Sequence, residues 1–214
     1  MPRDGTNTRT AIMDAAEGLI LEVGFAATSV DRIVQRASVT KGGFFHHFAS
    51  KAALAQALVE RYVELDLGHL DSKMARAEKL SRDPLQQVLI FVGLFQEAAE
   101  ELTEPYPGCL FGSYCYEAGL FDEATMEPIR CTMRTWRDKL GVKLREVAEQ
   151  RPPQLDVDLD SLADLITVIF EGSFIVSKTL KDPQVVAAQL GHYRTYLELL
   201  FSVPEPESVH RRRG

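Results

Sequence analysis

Hydroxyl side chains punctuate the first quarter of this chain. Thr28 or Ser29, then Thr40, then Ser50 each stand just ahead of a short amphipathic run. A hydroxyl in that place accepts a hydrogen bond from an unpaired amide of the first helical turn, so each marks a helix start. The first run, "TSVDRIVQRA", carries Val30, Ile33, Val34 and Ala37 as its apolar stripe. The "SV" at 38–39 has room only for a tight turn. Two short helices joined by such a turn describe a helix-turn-helix, a unit too small to bury its own apolar face. Flanking helices must cover it. One runs over residues 8–23, with Ile12, Ala15, Ala16, Leu19, Ile20 and Val23 at spacings of three and four and Gly24 as its stop. The other starts at Lys51 and passes Tyr62 toward Ala77.

The second short helix holds "KGGFFHHF" at 41–48. On a helix Phe44 and Phe48 share one face, so with Val39 they pack inward against Ile33, Val34 and Leu54. Lys41, Gly42, Phe45 and His46 then face solvent or a partner. Gly42 and Gly43 each cost about 1 kcal/mol relative to alanine inside a helix. A face without side chains lets another backbone come close. Together with a capping threonine and a lysine at a helix start, the pattern suits a phosphate backbone. Adjacent helical residues point about 100° apart, so His46 and His47 make a poor chelating pair, and no metal is expected.

The chain's formal charge of -7 does not oppose this, because the charge is unevenly placed. Residues 1–60 carry six cations and six acids, and between 27 and 51 Asp31 is the lone acid among four cations. Three cysteines without a CxxC pair fit a reducing cytoplasm better than a disulfide framework or zinc cluster. The N-terminus has no apolar leader and no apolar run approaches about 18 residues, so no membrane partner is expected. No glycine-rich phosphate loop is present, and no cofactor is expected.

The rest also reads as helix. Pro84 opens a segment over 85–102, "EPYPG" at 104–108 is a loop, 109–117 is a short helix, and Asp122 begins another that reaches Gln150. After the linker "RPPQLDVD", residues 160–180 and 183–201 form a final helical pair. The fold class is all-α. The division expected is a helix-turn-helix domain over 1–52, or about 8–62 with the start of the linking helix, a helical body over 53–203, and a tail over 204–214 with the composition of disorder.

The segment "TRTAIMDAAEGLILEVGFAATSVDRIVQRASVTKGGFFHHFASKAALAQALVERY", residues 8–62, resembles the N-terminal DNA-binding domain of TetR-family transcriptional regulators. The order of motifs carries the resemblance: "AA" in the first helix, "GF" and "TSV" leading into the second, "KG" opening the third, "HHFASK" leading into the fourth. It implies a homodimer whose third helix enters the major groove of double-stranded operator DNA. It implies a C-terminal body that dimerises and binds a small-molecule effector, releasing the operator as a repressor does. Contacts implied by the family fall on Thr40, Lys41, Gly42, Gly43, Phe45, His46 and His47, with Thr28 or Ser29 and Lys51 as phosphate neighbours at helix starts. Two positions depart from the family pattern. Ser38 replaces the usual turn glycine. Phe45 replaces a tyrosine and lacks its phosphate-bonding hydroxyl, though it can still touch a sugar or a thymine methyl.

In the body, "GCLFGSYCYEAGLF" at 108–121 mixes aromatic and polar residues and suits either helix core or a pocket wall. Cys109, Phe111 and Tyr114, with Phe91, Phe95, Met133 and Trp136, are the ligand-site candidates. The last two helices are too apolar for one chain to cover, so Phe170, Gly172, Ser173, Phe174, Tyr193 and Tyr196 are candidates for a dimer interface, against intrachain core. The rival function is an all-helical small-molecule carrier or enzyme using Cys109, Tyr114, Tyr116 or Glu117. No nucleophile, base and orienter assemble in the sequence to support it.

Overall fold

Each of the three expected hydroxyl caps is present in the computed structural model, which describes residues 5–202. Helix α1 (Gly5–Val23) precedes α2 (Val30–Arg36), where Ser29 Oγ accepts from Arg32 N at 3.2 Å. Thr40 Oγ1 accepts from Gly43 N at 3.0 Å to start α3 (Lys41–His47). Ser50 Oγ accepts from Ala53 N at 3.0 Å to start α4 (Lys51–Leu80). Of the two hydroxyls at 28–29, Ser29 is the cap. Thr28 is fully buried and its hydroxyl donates to Gly24 O at 2.8 Å, which closes the turn after α1.

The turn between α2 and α3 is a Schellman closure. Val39 N donates to Val34 O at 3.0 Å and Ser38 N to Gln35 O at 3.2 Å, with Ser38 at φ 53. That conformation brings α3 back across α1, and Phe44 and Phe48 enter the same buried cluster as Ile12, Leu19, Ile33 and Leu54. Burying an aromatic side chain of this size contributes about 1.5–3 kcal/mol, so the two phenylalanines anchor the short helix where its own hydrogen bonds could not.

At 30 residues, α4 spans about 45 Å and carries the head into the body. Asp83 caps α5 (Pro84–Glu100), accepting from Leu85 N and Gln86 N with Pro84 in the first turn. Helix α6 (Leu110–Tyr116) and a single 3-10 turn (Ala118–Leu120) return to the head. The long α7 (Glu123–Gln150), capped by Asp122, packs on α4, α5 and α8 (Leu159–Leu180). The last helix, α9 (Val185–Leu200), lies against α5 and α8. Nine α-helices and no strand occur among the described residues.

Two apolar cores result, and the first does not stop at residue 52. It joins α1–α3 to Leu54, Leu58 and Val59 of α4, to Leu110, Phe111 and Tyr114 of α6, and to Met126 and Ile129 of α7. The second fills the body between α4, α5, α7, α8 and α9. The tail expected over 204–214 lies outside the described residues.

A non-glycine residue in the left-handed region costs about 1–2 kcal/mol, and glycine's extra unfolded-state freedom returns about half of that. Ser38→Gly is therefore expected to stabilise the protein by about 0.5–1 kcal/mol, read as a higher midpoint in urea unfolding at unchanged slope.

Candidate nucleic-acid interface and its link to the body

Helix α3 divides its residues by face. Phe44 is 0% exposed and Phe45, the next residue, is 48% exposed, with the two rings edge to face at 5.2 Å. Thr40, Lys41, Gly42, Phe45 and His46 lie exposed, and Gly43 and His47 are half-buried. The imidazoles of His46 and His47 stand 5.0 Å apart and nearly perpendicular, which is not a chelating arrangement. Among the described residues no group of three or more potential ligands could hold a metal. The two glycines do different work. A Cβ on Gly43 would crowd Thr40 Oγ1 at 3.3 Å and disturb the cap, whereas one on Gly42 would meet nothing closer than 3.9 Å. Gly42 is open toward whatever α3 faces.

Lys41 pairs with Asp31 at 3.0 Å with both side chains exposed. Such a pair contributes about 0–1 kcal/mol and can be exchanged for another anion. Other head cations also have partners within the head. Arg36 pairs with Glu22 at 2.7 Å, Arg61 pairs with Asp14 and Glu17, and Arg9 lies over the Phe48 ring.

Lys51 differs most from the sequence expectation of a phosphate neighbour. Its ammonium donates to Phe25 O and sits 3.9 Å from the Phe25 ring centroid. Burial lowers its pKa, with Glu117 opposing that shift. Lys51 therefore belongs to the elbow between α1 and α2. Glu117, at the end of α6, grips the same elbow. Its carboxylate accepts from Phe25 N at 2.6 Å and Ala26 N at 2.8 Å. Tyr114 stacks on Phe121 at 4.3 Å, meets Phe25 edge-on, and donates its hydroxyl to Ala55 O. Lys178 of α8 donates to Leu21 O at 3.1 Å and Pro107 O at 3.3 Å, binding the last turn of α1 to the body. Tyr114, expected in a ligand wall, is thus part of the head–body joint.

The other ligand-site candidates separate. Phe91, Phe95 and Trp136 pack together in the body core, and Phe95 and Trp136 are 5.7 Å apart. Phe111 is buried against Tyr62 at 4.7 Å, and Met133 packs on the head-side core. Cys109 caps α6, its sulfur accepting from Gly112 N at 3.4 Å. The sequence reading missed Tyr62, Asp66, Tyr106, Phe170 and Glu171, which converge on this region from α4, the 104–108 loop and α8. Asp66 accepts from Trp136 Nε1 at 2.6 Å. Phe170 stands 5.3 Å from Phe95 and Tyr106 stacks on Phe174 at 4.7 Å. Burial raises the pKa of both Asp66 and Glu171. Burial, reinforced by Glu171, also pushes the Cys109 thiol up to about 12, so it is not a thiolate nucleophile at neutral pH.

The dimer candidates divide as well. Ser173 and Tyr193 are buried within the chain, and Tyr193 donates to Leu162 O at 2.9 Å. Phe170 and Phe174 turn inward onto the aromatic set. Gly172 and Tyr196 remain on the surface. Gly172 lies in an outward stripe on α8 with Val168, Ile175 and Val176, and Tyr196 lies beside the exposed Leu199 on α9. No helix among the described residues is long and apolar enough to cross a membrane.

Residues 12–58 match the family model described as bacterial regulatory proteins, tetR family. The chain is 26% identical over 180 residues to the transcriptional regulator AcuR of Cereibacter sphaeroides, covering 82% of this chain and 78% of that one. It is 22% identical over 173 residues to the transcriptional repressor DhaR of a Mycobacterium species, covering 81% and 83%. The crystal structure of a TetR-family transcriptional regulator from Agrobacterium tumefaciens superimposes with a TM-score of 0.72 at 24% identity, covering 93% of this chain and 100% of that one.

Removing the Glu117 carboxylate leaves two elbow amides without their acceptor. Glu117→Ala is expected to cost about 2 kcal/mol in unfolding free energy and to speed amide exchange at Phe25 and Ala26. Unchanged exchange at those two positions would show that the grip contributes nothing.

Proposed function

Because the chain is a TetR-family transcriptional regulator, we propose that it acts as a homodimeric repressor that leaves a roughly palindromic operator when a small molecule binds its body. The observation that carries this reading is the division of α3, with Phe44 and Phe48 buried and Thr40, Lys41, Gly42, Phe45 and His46 exposed on a short helix held by Thr40. Exposed in that way, α3 is the element free to enter a major groove. Gly43 supports the cap and His47 flanks the face. Ser29 stands exposed at the start of α2, placed to meet a phosphate, whereas Thr28 and Lys51 serve the elbow. The repressor sign is supported by the likeness to DhaR.

The dimer surface is proposed as the outward stripe of Val168, Gly172, Ile175 and Val176 with Tyr196 and Leu199, an apolar face the single chain leaves uncovered. Two heads held by one such interface can meet successive major grooves about 34–36 Å apart. The effector site is proposed at the aromatic and acidic cluster that α4, α5, α7 and α8 bring together, called the crevice from here on, with Cys109 at the start of α6 beside Glu171. An effector there favours the arrangement whose heads no longer match the grooves. Helix α6 links the two sites, because it begins at the crevice and ends in the Glu117 grip on the elbow.

Fluorescence anisotropy with DNA flanking the protein's own gene, against a scrambled duplex at two salt concentrations, tests the function. Tight binding to the first duplex alone, falling steeply with salt, is expected. Equal weak binding to both would remove α3 as a reader of that site. Lys41→Ala is expected to weaken binding to both duplexes and to reduce the salt slope by about 1.

Gly42→Ala separates contact from folding. The alanine should favour the helix by up to about 1 kcal/mol, raising the unfolding midpoint, while its methyl blocks close approach and lowers operator affinity about tenfold or more. Loss of stability and affinity together would instead make Gly42 a structural requirement.

A further inference from the structure

Asp66 on α4 and Glu171 on α8 are two carboxylates set against one group of aromatic rings, and neither enters an ion pair with a lysine or arginine in the described structure. Each takes a neutral donor instead: Trp136 Nε1 on Asp66 and the Cys109 thiol on Glu171. His69 is the one cation-forming group that acts on Asp66, and Asp66 itself acts on Glu171 as a like charge. The Glu171 carboxylate lies against α6 so closely that a Cβ on Gly112 would stand 2.7 Å from its Oε2. Beside Asp66, the rings of Phe95, Trp136 and Phe170 form a triangle with centroids 5.7, 5.3 and 6.3 Å apart. Phe95 and Phe170 pack on the core yet keep part of their surface open. One ring already holds a cation: Lys73 Nζ stands 4.8 Å from the Phe95 centroid.

Ring faces attract cations through their quadrupole, most strongly where water is excluded. A buried carboxylate without a countercharge is costly and regains favourable energy when a cation arrives. We propose that this crevice recognises an amphipathic organic cation, an ammonium or guanidinium group carried on an apolar body. The charge would lie between Asp66 and Glu171 and the body against Phe95, Trp136 and Phe170. The inference rests on the reading of the crevice as the effector site and names the chemistry of its ligand. An anionic ligand would face two like charges, against which stand Lys73 on the Phe95 ring and His69 beside Asp66.

Trp136 is the chain's single tryptophan, so its emission reports occupancy directly. The full-length protein should be titrated with phenyltrimethylammonium, with its neutral isostere tert-butylbenzene, and with benzoate. Saturable quenching by the cation and none by benzoate is expected. Asp66→Asn and Glu171→Gln should each weaken the cation about tenfold or more and leave tert-butylbenzene unchanged. Unaltered helicity and unfolding midpoints would establish that both variants fold. Cation affinity indifferent to both substitutions, or benzoate binding more tightly than the cation, would overturn the ligand class while leaving the crevice as an effector site. Failure of all three probes to quench would overturn the class and the site together.

Discussion

The elbow between α1 and α2 is the joint on which the arrangement of the molecule depends. At Gly24 the chain turns at φ 83 and presents the Phe25 and Ala26 amides in one direction. A Cβ on Gly24 would lie 2.6 Å from Glu117 Oε1, so a side chain here would both strain the backbone and displace the carboxylate. Glu117 takes the two amides, and Lys51 takes the carbonyl and the ring of Phe25 from the opposite side. One short loop thereby fixes the end of α1, the start of α2, the first residue of α4 and the last turn of α6. Lys178 adds the body's second hold by taking the Leu21 carbonyl.

The same economy explains how an acidic protein can present a DNA-facing head. Arg61 and Lys51 are held by partly buried contacts and Arg36 pairs with Glu22 on the surface, so the head's shape as well as its net charge determines which cation of a given helix stays available. Lys41, paired only with exposed Asp31, is that cation on α3. On the proposed reading of α3 as the groove element, close backbone approach at Gly42 and contacts from Phe45 and His46 would add to the charge that Lys41 supplies. Phe45 lacks a hydroxyl, which shifts its contribution from a phosphate hydrogen bond toward apolar contact.

Much of the head was legible in the sequence because its signals are local. A cap lies three residues from the amide it satisfies, and Phe44 and Phe48 declare their common face by spacing alone. Ser38 in the left-handed region follows from its standing where the resembled family carries a turn glycine. Lys51 takes a carbonyl 26 residues earlier, a partner that no local rule in the sequence announces. Either of the adjacent hydroxyls Thr28 and Ser29 satisfies the capping pattern, and only the fold decides for Ser29. Phe170, Phe174 and Tyr193 stay open between interface and core in the sequence because α8 and α9 are apolar on more than one face, and such helices cannot be phased without their neighbours. Asp66 and Glu171 gave no signal. A single acid on a long helix reads as solvated, and only packing of α4 against α7 and of α8 against α6 brings Trp136 and Cys109 onto them.

Helix α6 gives the proposed coupling a physical route. Its seven residues span about 10 Å, short enough to move as a unit. At one end Cys109 and Gly112 lie against Glu171, and at the other Glu117 holds the elbow. On the proposed reading, a cation that drew the Glu171 carboxylate toward itself would loosen its contact with Cys109 and α6. Lost support at the crevice end can be answered by rotation about the Tyr114 ring stack, and rotation there displaces the Phe25 and Ala26 amides. Because α2 begins just beyond them and carries α3 through the rigid Ser38 turn, a shift at the elbow reorients the exposed face of α3 without unfolding any helix. Rigid parts joined at one charged hinge have few intermediate positions available, which favours a switch between two arrangements over a graded deformation.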